Sequence, residues 1–404
     1  SKVEAMAPTT SVILLTIGTL LILGLVANYL SPKLHIPRVT LLILCGVALG
    51  PSGLDLLPEG HERWYTLFSN IALLMIGFIL GCKLSIPALK DFGRQVFWIS
   101  IFEVVGVALL VFAGLVLFGV QTEVALVLAG IGPASAPAAV TNVVEGLNAK
   151  GRYTDTLLGI VAIDDAWGLI VFSVLLAAAT AMSGHSGTME ALYRGGWEFG
   201  GAILIGTIVG LPAGWLTDRI RAGEPMQAEA LGFMFVCGGA AQLTGASFIL
   251  SAMVMGAVVA NTSKHTEQAF ETVREFEWPI MILFFVLAGS SLHVEELPGI
   301  GLAGLVYIVF RVIGLVAGAY AGGTISGAAD AIRRYMGMAI TPQAGVALGM
   351  ALVAANHFPE LENTFIPLVI GTTVFFELTG PFFTRLALIK AGEAGEAEGA
   401  GNEE

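Results

Sequence analysis

Apolar runs long enough to cross a bilayer follow one another along almost the whole chain, and this succession decides what it can fold into. The runs fall at about 11–30, 39–57, 64–84, 96–118, 124–147, 154–182, 199–216, 227–243, 246–260, 278–292, 300–322, 331–354 and 365–388. A helix needs about 20 mainly apolar residues to span the hydrocarbon core, and in lipid every backbone N–H and C=O must be satisfied within the protein. The expected fold is therefore an all-α membrane protein with about thirteen transmembrane helices over residues 11–390. Composition agrees: 56% of residues are apolar and 12% charged, where a soluble domain is roughly a quarter charged. No cleavable secretory signal is expected before the first run, only a tail over residues 1–10. Cys45, Cys82 and Cys237 sit in apolar runs at unrelated spacings, which argues against a disulfide framework or a zinc site. The stretch 391–404, AGEAGEAEGAGNEE, contributes much of the net charge of −12 and is expected to be a disordered acidic tail.

Basic residues orient these runs. When connections are alternated between two sides, only Lys2, Arg63 and Arg194 of the 19 Lys and Arg fall on one side. Arg311 lies inside a run, and the remainder gather on the other side, which reads as the cytoplasm. The asymmetry holds only if the eighth and ninth runs, parted by Thr244–Gly245, count separately. A multi-pass protein of the inner cell membrane follows, with its N-terminus outside and its C-terminus in the cytoplasm.

An internal repeat is legible. Met75–Leu84 (MIGFILGCKL) aligns without gaps on Leu283–Leu292 (LFFVLAGSSL), setting Gly81 on Gly289 at an offset of 208 residues. The same offset carries Glu103 onto Arg311 and Pro133, in IGPASAPAAV, onto Thr341–Pro342, in AITPQAGVAL. The two copies are separated by an odd number of helices, so they run in opposite directions. Inverted repeats with interrupted helices near the midplane mark secondary transporters. Gly132, Pro133 and Pro137 interrupt the first helix; Thr341, Pro342, Gln343 and Gly345 do so in the second. One such motif would read as an ordinary proline kink; two at repeat-related positions favour a pair of crossed broken helices.

Ionisable residues inside these runs carry the chemistry. Asp164 and Asp165 lie in GIVAIDDAWGLIVF, and burying two adjacent carboxylates is costly unless they serve a function. Neighbours on a helix diverge by about 100°, so one should face the ion path more directly. A carboxylate oxygen suits Na⁺ or Li⁺, and a desolvated carboxylate holds a cation or a proton but hardly both, so Asp164 and Asp165 are the expected ligands of a transported Na⁺. A buried pair held for stability by backbone donors is the plainer alternative. Arg311, in VYIVFRVIGLVAG, keeps its charge and needs a partner: Glu103 first, Glu377 as the alternative. The six histidines fall in loops or at helix ends. No enzyme chemistry, resident cofactor or nucleic-acid partner is expected.

These segments resemble the monovalent cation/proton antiporter superfamily, the sodium/proton exchanger fold. LHIPRVTLLILCGVALGPSGL is similar to its second span, FFVLAGSSL to the segment ahead of its charged helix, and AIDDAWGLIVF to the double-aspartate motif of its bacterial branch. The resemblance covers about 11–388 and sets Ser135 at the ion-binding position of the first broken helix. It implies a homodimer, a mobile core including about 64–182 and 278–390, a dimerisation domain from the remaining helices, and elevator-like movement of Asp164 and Asp165 between the two faces. Electrogenic members of that branch usually carry lysine where this chain has Arg311, and arginine does not release its proton. Exchange of one cation for one proton is therefore expected.

Rival classes fit less well. A cation channel needs no inverted broken helices, and an intramembrane aspartyl protease needs its aspartates on different helices. A sodium-coupled organic-anion symporter shares crossed broken helices but not the aspartate pair. The ligand-gated potassium-efflux relatives carry a cytosolic nucleotide-binding domain that the sequence does not show after its last run, although a K⁺/H⁺ efflux system stays as an alternative.

Overall fold

The computed structural model describes residues 10–34, 37–58, 61–87, 93–183, 188–217, 226–263, 266–290, 297–343 and 345–394. Among the described residues it is all helical. The first eight helices are α1 (Thr10–Leu34), α2 (Arg38–Leu49), α3 (His61–Cys82), α4 (Gly93–Leu117), α5 (Thr122–Ile131), α6 (Pro137–Gly146), α7 (Arg152–Ser183) and α8 (Thr188–Thr217). The others are α9 (Met226–Thr244), α10 (Phe248–Thr262), α11 (Thr266–Ser290), α12 (Leu297–Ser326), α13 (Asp330–Ala339), α14 (Gly345–His357) and α15 (Glu362–Ala391). Among the described residues, six stretches are long and apolar enough to cross a membrane: Ser11–Ser31, Gly93–Leu117, Arg152–Met182, Gly196–Thr217, Gly301–Ser326 and Thr364–Ala391. Counting α5 with α6 and α13 with α14 as interrupted helices, the described elements make the thirteen spans of the sequence. The repeat extends to their boundaries: α5 and α13 begin and end at the same 208-residue offset, 122 to 330 and 131 to 339.

The chain divides into two compact units. The first comprises Ser1–Cys82, Trp197–Ile300 and Pro359–Pro367; the second comprises Lys83–Gly196, Gly301–Phe358 and Leu368–Glu404. The sequence reading groups α3 and α11 with the core bundle; by packing the two helices fall together. Both belong to the first unit, and small residues are the reason. A Cβ on Gly77 would lie 2.7 Å from the Ile249 carbonyl oxygen, and Gly81 abuts the backbone of Met253, so α3 meets α10 backbone to backbone. Gly46 and Gly289 bring α2 against α11 in the same way. In lipid, where apolar side chains gain little by leaving one apolar medium for another, close backbone approach of this kind drives helix association. The separation of the eighth and ninth runs is also explained locally. Gly245 (φ +72°) ends α9, with the Ala246 N–H returning to the Ala241 carbonyl at 2.9 Å. Ser247 then caps α10 by accepting from the Leu250 N–H.

In the second unit, α12 lies along α4 through a ladder of glycines. Cβ atoms on Gly314, Gly318 and Gly322 would meet the backbone of Val107, Phe102–Glu103 and Trp98–Ile99 respectively, at 2.5–2.6 Å for the nearest atoms. The repeat mates Glu103 and Arg311 thus sit on two closely packed helices. A Cβ on Gly130 would lie 2.8 Å from the Phe172 Cα, so the missing side chain seats the end of α5 on α7. Gly380 of α15 makes room for Pro342, and Thr384 Oγ1 donates to the Ala339 carbonyl at 2.8 Å.

Candidate ion-binding site

The two helix breaks carry the site. In the first, α5 ends at Ile131, the Gly132 N–H returns to Leu128, and Pro137 starts α6 as its first residue. Proline has no N–H to waste at a helix start and cannot continue the preceding helix, so Pro133 and Pro137 hold the chain open between the halves. In the second, α13 ends at Ala339 and α14 resumes at Gly345, with Thr341, Pro342 and Gln343 between them. Each break frees backbone carbonyls at the end of one half-helix and N–H groups at the start of the next, and these need partners in a buried place.

Arg311 supplies the partner for the carbonyls. Its Nε donates to Gly132 O at 2.7 Å, Nη2 to Ala134 O at 2.9 Å and Nη1 to Thr341 O at 2.7 Å. One guanidinium therefore joins both breaks, and its Cζ lies 4.3 Å from the centre of the Phe376 ring. Gln343 adds a second link, donating from Nε2 to the Ile131 carbonyl at 3.3 Å and to the Tyr307 hydroxyl at 3.0 Å.

Asp165 takes the opposite end of the first break: its Oδ1 accepts from the Ser135 N–H at 3.2 Å, just ahead of the start of α6. Carbonyl ends thus meet the cation and an amide end meets the carboxylate, as the partial charges of half-helices require. Asp164, on the next position of α7, is wholly buried, and neither of its carboxylate oxygens has a hydrogen-bond partner among the described residues. The Ser135 hydroxyl and Gln343 Oε1 are likewise buried oxygens without a partner among the described residues. Glu103 on α4 and Arg311 on α12 are wholly buried as well.

The expected Glu103–Arg311 ion pair is not what the guanidinium binds. Both Glu103 oxygens are buried and accept no hydrogen bond from any described residue, while three donors of Arg311 go to backbone carbonyls. Freed carbonyls at the breaks are fixed acceptors that no other described group satisfies, so they claim the fork. Glu377 is buried on α15 next to Phe376. Sequence reasoning missed Tyr307 and Phe376. Tyr307 stands four residues before Arg311 on α12, a spacing that places both on one helix face; Phe376 had no signal beyond its apolar run. Of the histidines, His61 and His357 lie at helix ends and the other four outside the described residues.

The chain resembles known proteins over most of its length. The family described as sodium/hydrogen exchanger, transmembrane, matches residues 17–389. The ammonium/H⁺ antiporter subunit AmhT of Alkalihalophilus pseudofirmus is 23% identical over 356 residues, 87% of this chain and 89% of that protein. The K⁺/H⁺ antiporter subunit KhtU of Bacillus subtilis is 23% identical over 322 residues, 76% of this chain and 78% of that protein. The structure of the sodium proton antiporter MjNhaP1 from Methanocaldococcus jannaschii superposes with a TM-score of 0.69 at 19% identity, covering 94% of this chain and 96% of that one.

Proposed function

The chain belongs to the sodium/hydrogen exchanger family, and on that premise we propose that it exchanges a monovalent cation for protons at Asp165 and Asp164. Cation/proton antiport across a membrane is the function of the family; the residues and the ion are the present reading. One observation carries it. A buried carboxylate, Asp165, meets a free amide at the break of a membrane helix, beside a second carboxylate, Asp164, whose oxygens are unsatisfied by any described residue. A dehydrated cation offers such oxygens the charge they lack, and so does a proton. Mutual exclusion at one site is sufficient for exchange.

Na⁺ is the first candidate, because a small hard cation suits carboxylate and carbonyl oxygens; Li⁺ and K⁺ follow. The names of AmhT and KhtU add NH₄⁺ and give K⁺ independent weight. The second unit, which holds the breaks and the aspartates, is the mobile core of an elevator in this reading, and the first unit is the homodimer contact in an inner cell membrane, with the N-terminus outside. The test is dissipation of an imposed pH gradient in proteoliposomes by Na⁺, Li⁺, K⁺ and NH₄⁺ in turn. Wild-type protein should respond to at least one, and Asp165→Asn to none while remaining folded. Full exchange in Asp165→Asn rejects the site.

A further inference from the structure

We propose that Glu393 is a positioning residue for the exchange site, fixing the start of the helix that carries Asp164 and Asp165. The stretch 391–404 is expected from its sequence to be disordered, yet its first glutamate is tied down. Glu393 Oε1 accepts from the Tyr153 N–H at 2.8 Å, and Oε2 accepts from the Thr154 N–H and the Thr154 hydroxyl, each at 2.8 Å. These amides belong to the first turn of α7, where N–H groups have no acceptor within their own helix.

The local sequence explains why the acceptor comes from so far along the chain. Gly151, immediately before α7, has no side chain to cap it, and it adopts φ +143°, a conformation that L side chains rarely adopt. A Cβ there would run into the Glu393 carboxyl group. The far side is equally built. Gly392 (φ +75°) ends α15, and the Glu393 N–H returns to the Leu388 carbonyl at 3.2 Å, a turn that aims the side chain at α7. A carboxylate also complements the positive end of the helix dipole. All the partners lie in the second compact unit.

From Thr154 to Asp165 α7 is unbroken, about 16 Å of helix at 1.5 Å per residue. Asp165 must hold register with the Ser135 N–H, so a change in where α7 starts is felt at the carboxylate. The inference rests on Asp164 and Asp165 being the exchange site.

Full-length Glu393→Ala, Glu393→Gln, Thr154→Val and the Glu393→Ala/Thr154→Val double variant are reconstituted and their exchange kinetics measured alongside Asp165→Asn. In Glu393→Ala the apparent KM for the cation should rise by roughly fivefold or more, with a smaller change in maximal rate per folded protein. Glu393→Gln, which keeps one acceptor oxygen, should fall between this and wild type and serves if the alanine variant does not fold. Thr154→Val should add little in the Glu393→Ala background. Hydrogen exchange of the peptide holding Tyr153 and Thr154 should be slow in wild type and faster in Glu393→Ala. Fast exchange there in wild type, or an unchanged apparent KM in the Ala or Gln variant, overturns the proposal. If Asp165→Asn still exchanges, the site reading fails instead; if it is inactive while Glu393→Ala keeps the wild-type KM, only this inference fails.

Discussion

Arg311 donates through Nε to the Gly132 carbonyl at 2.7 Å, and with its other two bonds it ties one helix break to the other. Its charge is thus spent on backbone oxygens of both repeats. The role needs a planar fork that is always charged, which lysine cannot offer. Its repeat mate Glu103 is left as a third buried carboxylate whose oxygens accept no hydrogen bond from any described residue.

The two repeat mates should therefore respond unequally to substitution. Arg311→Met strands three buried carbonyls, each worth about 1–3 kcal/mol when left without a donor, and should cost at least about 3 kcal/mol. Glu103→Gln loses no hydrogen bond and should stay within about 1 kcal/mol of wild type. Thermal unfolding in detergent reads both. Equal losses, with a double mutant no worse than either single one, would restore the direct ion pair.

The proposed competition at the aspartates fixes the sign of the pH response. If the cation binds only the deprotonated site, the apparent KM for cation should fall as pH rises and level off once the site is fully deprotonated. Initial rates across a pH series in proteoliposomes, with equal pH on both sides at the start, give the curve. A flat apparent KM separates the proton from the cation site.

Charge movement follows from Arg311. With its donors committed and no titrating lysine in its place, one cation should exchange for one proton. Exchange driven on a solid-supported membrane should then produce no transport current. A cation-dependent current of reproducible sign would mean that a second carboxylate, Asp164 or Glu103, also cycles its proton.

The α4–α12 contact should be intolerant of added volume. Gly318→Ala sets a Cβ 2.5 Å from the Phe102 carbonyl oxygen and 2.7 Å from Glu103 Cα, and backbone cannot yield as a side chain can. A loss of about 1–3 kcal/mol is expected. Gly200→Ala is the control, since nothing lies within 4 Å of its Cβ position, and it should be neutral or slightly stabilising. Comparable melting temperatures for the two variants would mean that α4 and α12 do not pack as closely as described.

The sequence alone determined the helices, their breaks and the repeat. Run lengths are dictated by bilayer thickness, and the positions of Pro133, Pro137 and Pro342 follow from proline's missing N–H, so both are written in local chemistry. The adjacent acids Asp164 and Asp165 were legible as candidates for the same reason: charge inside an apolar run is visible without any fold. Partners were not. Whether Arg311 meets Glu103, Glu377 or backbone depends on which oxygens the breaks leave free and where α12 packs, and the guanidinium's three carbonyls come from residues 30 to 179 positions away. The grouping of α3 with α10 and of α2 with α11, and the capture of Glu393 by Tyr153 and Thr154, were likewise decided only in three dimensions. In each case glycine, silent in a hydropathy pattern, sets how closely two backbones approach, and that distance decides which distant group reaches a free amide or carbonyl.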